Sequence, residues 1–180
     1  VLLASSQDHK RIYEKDKGPN TGGMGAYSPA SIVTDEIKHK VLKEVYEPTL
    51  KELKKRGIVF KGILYAGLMI KDNQPFVVEF NCRFGDPETQ PIMMRLESSL
   101  VELCLAAINN TLSSHQVRWS SNHACGVVIA SEGYPGNYEI NKEVVINNHS
   151  KDDVKLFHAG TKIQDNQLMT SGGRVFCATG

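Results

Sequence analysis

The chain has 180 residues, 41% of them hydrophobic, which is material for one domain or two small ones with a real core. Its 21 basic and 20 acidic side chains leave a formal charge of +1, which excludes a basic field for nucleic acid and a polyanionic tail and leaves small molecules as the expected partners. No apolar run approaches the roughly 20 residues that cross a bilayer, and residues 1–4 are too few for a signal sequence, so no membrane contact and a cytoplasmic setting are expected.

In chain order, Val1-Leu2-Leu3-Ala4 reads as the middle of a strand rather than a natural beginning. Gln7 to Arg11 is polar and charged, and puts Asp8, His9, Lys10 and Arg11 just past a strand end, where ligands of sheet proteins gather. A solvated charge run is the competing reading, and His9 is read as a surface residue rather than a general base. Lys17-Gly18-Pro19-Asn20-Thr21-Gly22-Gly23-Met24-Gly25 is expected to be a long loop without regular structure. It has neither the GxxxxGK[ST] pattern of a P-loop nor the GxGxxG spacing of a dinucleotide site. Its glycines would let backbone amides close on an oxyanion, with Asn20 and Thr21 adding side-chain groups; a plain flexible turn is the alternative.

Thr34 is placed to cap a helix over residues 35–56, with Ile37, Val41, Leu42, Val45, Leu50 and Leu53 as its apolar stripe, Pro48 kinking or dividing it and Gly57 ending it. Residues 62–71 are apolar on both faces, residues 72–75 form a turn, and residues 76–82 return, which predicts an antiparallel hairpin with a buried, central second strand. Helices are expected over 88–96 and 100–108, with a new cap between them and their Met and Leu residues in the core. Beyond a polar stretch at 109–114 come short strands at 124–130, 144–146, 154–157 and 173–178, with a turn at 133–136. These would form a small, mostly antiparallel sheet, so the chain reads as α+β with a boundary near 115. The last strand, like the first, looks cut, and a piece of something longer is expected. Cys82, Cys104, Cys125 and Cys177 lie far apart with no CxxC pair, and read as reduced and mostly buried rather than as zinc ligands.

The most informative stretch is residues 76–88, a strand running into a polar loop and a helix start. Strand alternation puts Phe76, Val78, Phe80 and Cys82 on one face and Glu79, Asn81 and Arg83 on the other. Strand neighbours two apart are close enough for one carboxylate and one amide oxygen to share a hard cation such as magnesium or manganese. A guanidinium one step on suits a phosphate or carboxylate. Asp86 would cap a helix with Pro87 first and Glu88 in the first turn, opening free amides beside Arg83 as an anion site. An amphipathic strand with one wet face, followed by an ordinary cap, is the competing reading.

Four blocks together resemble the phosphoribosylamine–glycine ligase family of purine biosynthesis: Gln7 to Arg11, Gly18 to Tyr27, Gly62 to Gly67 and Glu79 to Glu88, in that order. Gly133-Tyr134-Pro135-Gly136, His158-Ala159-Gly160-Thr161 and Gly172-Gly173-Arg174-Val175 resemble the family's C-terminal domain, so the resemblance spans nearly the whole chain. It implies the later part of an ATP-grasp domain over 1–114, an antiparallel sheet with packed helices, and an incomplete β-rich C-terminal domain over 115–180. The implied reaction uses ATP to phosphorylate glycine, after which the amine of 5-phosphoribosylamine attacks the glycyl phosphate. By this resemblance Glu79 and Asn81 are ligands of the Mg2+ or Mn2+ that accompanies ATP, and Arg83 is a catalytic group steadying the acyl phosphate or a substrate carboxylate. Asp8, Lys10, Asn20, Thr21, Gly22 and Gly23 would face phosphoribosylamine, and Asp86 would join them in binding substrate or phosphate. The family carries further domains before these residues, so activity is expected of a longer, monomeric parent and not of this chain alone. The alternatives are another ATP-grasp ligase with a different acid and amine, which the glycine block speaks against, and a noncatalytic metal- or phosphate-binding module.

Overall fold

The structure is a computed structural model that describes residues 1–147 and 153–180. Its contacts divide the chain into two compact units. One consists of Val1–Ser5, Pro29–Gly85 and Leu96–Ser120, the other of Ser6–Ser28, Asp86–Arg95 and Ser121–Gly180. The second therefore draws on chain from both sides of residue 115.

In the first unit the Thr34 hydroxyl accepts the Ile37 N–H at 3.3 Å and starts helix α1, Asp35–Lys40. The expected single helix is divided. A wide π turn, Val41–Tyr46, leads into α2, Glu47–Lys55, with the Glu47 N–H bonded to the Leu42 carbonyl five residues back. The division sits at Pro48, whose ring nitrogen has no hydrogen to give the Glu44 carbonyl. The extra residue in the π turn also rotates the stripe. Ile37, Val41 and Val45 are buried against Ala66, Leu68 and Ile70, whereas Leu50, expected to continue the line, is 43% exposed.

Those three partners lie on β5, Tyr65–Lys71, which pairs antiparallel with β6, Gln74–Asn81. The strands run further into the expected turn than the sequence suggested, leaving a two-residue loop of Asp72 and Asn73 at φ +50° and +58°. That left-handed pair matches the twist of a tight hairpin, and both residue types tolerate it. The hairpin is confirmed, but β6 is neither central nor buried: the sheet has two strands, and Phe76, Val77, Val78 and Phe80 are all exposed. The side chains that pack against the buried helical cluster come from β5, while α1 also touches β6. Helix α4, Leu100–Ile108, begins at the expected cap, with Ser99 Oγ accepting the Glu102 N–H at 3.3 Å. Of its residues only Leu103 and Ala106 are buried, so Leu100 and Leu105 are not the core positions expected.

The second unit is built on an antiparallel sheet in the order β1-β4-β7-β11-β8. The strands are β1 Gln7–Asp8, β4 Gly25–Ser28, β7 Ala124–Ala130, β11 Arg174–Thr179 and β8 Lys155–His158. Two hairpins accompany it: β2 Arg11–Tyr13 with β3 Lys17–Asn20, and β9 Thr161–Gln164 with β10 Gln167–Thr170, the latter not foreseen. Residues 17–20 and 25 are thus strand, and the loop expected over 17–25 shrinks to residues 21–24. Pro19 is tolerated because β3 pairs on one side only. Residues 1–4 are not a strand, nor are residues 144–146, where the Val144 N–H donates to the Leu168 carbonyl at 2.8 Å beside a bridge at Glu143.

Helix α3, Thr89–Arg95, covers β4, β7 and β11. Its buried Arg95 donates to the Asn122 carbonyl (2.7 Å) and to Ser28 Oγ (3.0 Å), and burial lowers its pKa. All four cysteines are free thiols, but only Cys177 is buried. Cys125 fails that expectation because β7 alternates: Ala124, Gly126 and Val128 face in while Cys125 and Val127 face out.

Candidate functional site

In the first unit, β6 presents Glu79 opposite Gly67 and Asn81 opposite Tyr65. The Asn81 amide nitrogen donates to Glu79 Oε1 at 3.2 Å, so the two side chains reach one point as the spacing required. The rest of the expected alternation does not survive. Gly67 and Leu68 are adjacent, yet their partners are Glu79 and Val77, which leaves Val78 as an extra residue. This bulge turns Phe76 to the same face as Glu79 and Asn81, and sends Phe80 with Val77 to the face of Leu68 and Ala66. Gly67 makes room for the acid: a Cβ there would lie 3.1 Å from Glu79 Cγ.

Arg83 does not extend that row. β6 ends at Asn81, Arg83 sits in a bend, and its Nη1 donates to the neighbouring Phe84 carbonyl at 2.7 Å. The structure therefore brings Glu79 and Asn81 together and leaves the guanidinium, exposed, on its own loop.

In the second unit, Asp8 on β1 lies opposite Ala26 and its Oδ2 pairs with Lys10 Nζ at 2.7 Å. Asn20, exposed at the end of β3, leads into a tightly braced turn. The Lys10 carbonyl accepts both the Thr21 N–H and the Thr21 hydroxyl, each at 2.7 Å, and Thr21 Oγ1 in turn accepts the Gly23 N–H at 3.0 Å. The Gly22 N–H donates to the Tyr134 hydroxyl at 3.0 Å. The Thr21, Gly22 and Gly23 amides expected to surround an oxyanion are thus used within the protein, and so is the Thr21 hydroxyl. Gly23, at φ +117° with a would-be Cβ 2.3 Å from Pro87 Cδ, accepts no other residue without rearrangement.

Asp86 does not cap a helix. α3 begins only at Thr89, after a turn, and is seven residues long, so the anion site expected at its N-terminus is absent. The Asp86 carboxylate is instead held by Arg174, Nη2 to Oδ2 at 2.8 Å. The same guanidinium donates through Nη1 to the carbonyls of Gly22, Gly23 and Asp86. The sequence reading gave no role to Arg174 or Tyr134; their only signal was membership of two glycine-containing C-terminal blocks.

An α+β chain of antiparallel sheets and packed helices, with a carboxylate and an amide side by side on a hairpin strand, has the ATP-grasp fold, and residues 1–89 match a family model described as phosphoribosylglycinamide synthetase, ATP-grasp (A) domain. Residues 124–180 match the C domain of the same synthetase. The chain belongs to the phosphoribosylglycinamide synthetase family. It is 54% identical to the phosphoribosylamine–glycine ligase of Vibrio parahaemolyticus and 52% identical to that of Escherichia coli O157:H7, in each case over 98% of this chain and 42% of the other. The crystal structure of the same-named ligase from Thermotoga maritima matches with a TM-score of 0.87 at 34% identity, over the whole chain and 44% of that protein. The chain thus spans less than half the length of the relatives it matches.

Proposed function

We propose that this chain is the later part of an ATP-dependent ligase that joins glycine to 5-phosphoribosylamine. Residues 1–114 would end the ATP-grasp domain and 115–180 begin the C-terminal one, a division supported by the family matches at 1–89 and 124–180. The observation that carries the reading is identity above half, over 98% of the chain, to proteins of that name. In the reaction a glycine carboxylate oxygen takes the γ-phosphoryl group of ATP, releasing ADP. The amine then attacks the glycyl carbonyl carbon, and phosphate leaves as the C–N bond forms. Such phosphoryl transfer asks a protein for positioning and charge neutralisation rather than for a nucleophile.

Glu79 and Asn81 are the residues we assign to a divalent cation. Two oxygen donors meeting at one point suit a hard ion, Asn81 presenting its amide oxygen after a turn of the amide group. The remaining ligands of such a cation would be nucleotide phosphates and water. When bound, that ion, Mg2+ or Mn2+, would neutralise charge on the ATP phosphates. Arg83 is our candidate for steadying the acyl phosphate, its guanidinium having to leave the Phe84 carbonyl. Asp8, Lys10, Asn20, Thr21, Gly22, Gly23 and Asp86 we place on the phosphoribosylamine side. No described helix is long and apolar enough to cross a membrane. Four free thiols agree with the reducing cytoplasm we propose as the setting of a monomeric parent enzyme.

The test is ADP formation by the full-length enzyme with glycine and phosphoribosylamine each omitted in turn. Turnover should need both, and Glu79→Gln, which removes charge at nearly constant shape, should lower it by roughly a hundredfold or more. Normal kinetics in that variant would refute the metal assignment, and equal rates with other amino acids would refute the substrate. Nucleotide binding without turnover would favour a binding module.

A further inference from the structure

The glycine turn is held from the far end of the chain. Both backbone groups of Gly22 are taken by residues of the matched C-terminal segment: its N–H donates to the Tyr134 hydroxyl and its carbonyl accepts from Arg174 Nη1, each at 3.0 Å. The same Nη1 reaches the carbonyls of Gly23 and Asp86, both at 3.3 Å, while Nη2 pairs with the Asp86 carboxylate at 2.8 Å. One planar guanidinium fork thereby ties together two successive residues of the turn and the residue before Pro87, its Nη1 on the three carbonyls and its Nη2 on the carboxylate, a fixed geometry that the flexible stem of a lysine does not impose. The fit is close: a Cβ at Gly22 would lie 3.0 Å from Arg174 Cζ, and one at Gly173 would lie 2.2 Å from Tyr134 Cδ2. Gly173 therefore lets the Tyr134 ring lie directly beside Arg174, and the two side chains work on one turn.

The ion pair by itself adds little to folding. The Arg174 and Asp86 side chains are 22% and 54% exposed, and ion pairs that wet contribute little to folding. Three of the four acceptors are backbone oxygens, so the consequence of the fork is the shape of the Gly22–Gly23 turn.

We propose that Arg174, assisted by Tyr134, is a positioning residue for phosphoribosylamine: it sets the turn that carries Asn20 and Thr21 and thereby makes this substrate site depend on the C-terminal segment. The inference rests on assigning that turn to phosphoribosylamine. Without the fork the turn loses its hold on the Gly22 and Gly23 carbonyls, while the Glu79–Asn81 pair, bonded within its own hairpin, keeps its partners.

The experiment uses the full-length enzyme and the variants Arg174→Ala, Arg174→Lys and Tyr134→Phe, with each substrate varied in turn and amide hydrogen exchange followed through residues 20–24. For Arg174→Ala the KM for phosphoribosylamine should rise about tenfold or more, because small misplacements of binding groups are costly, while the KM values for ATP and glycine stay within about twofold. Arg174→Lys should recover only part of the loss. Tyr134→Phe removes one hydroxyl and should raise the same KM by a factor of about three, with faster exchange of the Gly22 amide and an unchanged thermal midpoint. If Arg174→Ala fails to fold, Tyr134→Phe decides alone. Unchanged phosphoribosylamine KM, equal rises in all three KM values, or unchanged exchange at Gly22 would each overturn the proposal. Should the unmodified enzyme turn over without phosphoribosylamine, the functional reading fails instead, and the exchange at Gly22 and Gly23 still decides whether these side chains shape the turn.

Discussion

Gly67 decides how close Glu79 can come to the hairpin backbone. With a would-be Cβ 3.1 Å from Glu79 Cγ, an alanine displaces the acid by a few tenths of an ångström. Gly67→Ala in the full-length enzyme should therefore raise the KM for metal–ATP by roughly threefold to tenfold, with the glycine KM little changed, since ligand sites tolerate little displacement. Steady-state kinetics at fixed free metal would measure it, and a normal value would mean that Glu79 is not held from below. The sequence disclosed the pairing of Glu79 with Asn81, because residues two apart share a strand face whatever lies outside them. It did not disclose Phe76 on that same face. The bulge at Val78 depends on which residue of β5 stands opposite, and nothing in β6 alone records that. Arg83 was misplaced for a related reason: alternation holds only while the strand lasts, and the strand stops at Asn81.

Elements announced by local chemistry were legible. Thr34 and Ser99 satisfy orphan N–H groups at helix starts, Gly57 ends α2 at φ +74°, and Asp72-Asn73 makes the tight turn. What was not legible is the phase of a helix after an interruption. The π turn before Pro48 separates two stripe residues of equal appearance, Ile37 at 1% exposure and Leu50 at 43%. Ile37→Ala should accordingly cost about 2–4 kcal/mol, as buried aliphatic truncations do, and Leu50→Ala less than about 1 kcal/mol. Urea denaturation of the two variants would compare them. Equal losses would mean that the helix runs through Pro48 in one phase and that Leu50 is core.

For the whole molecule the obstacle was distance along the chain. β1 and β4, read as a charged run and the end of a glycine loop, are strands because β7, some hundred positions on, supplies their sheet. No local propensity in residues 7–28 encodes that partner, whereas β7 itself, alternating cleanly, was found to the residue. The same distances bear on activity. Relatives at 52–54% identity are more than twice as long, and in this chain Phe76 and Val78 on the site strand are 56% and 66% exposed. If Glu79 serves phosphoryl transfer as proposed above, hydrophobic side chains so placed beside it would leave that site open to water in this chain alone, where charge interactions are weak and an acyl phosphate would hydrolyse. The 180-residue chain should therefore form no ADP above background from ATP, magnesium, glycine and freshly made phosphoribosylamine, while the full-length enzyme turns over under the same conditions. Intact mass must accompany the assay, because a preparation near 19.9 kDa that turned over with both substrates required would mean that Glu79, Asn81 and the glycine turn suffice by themselves.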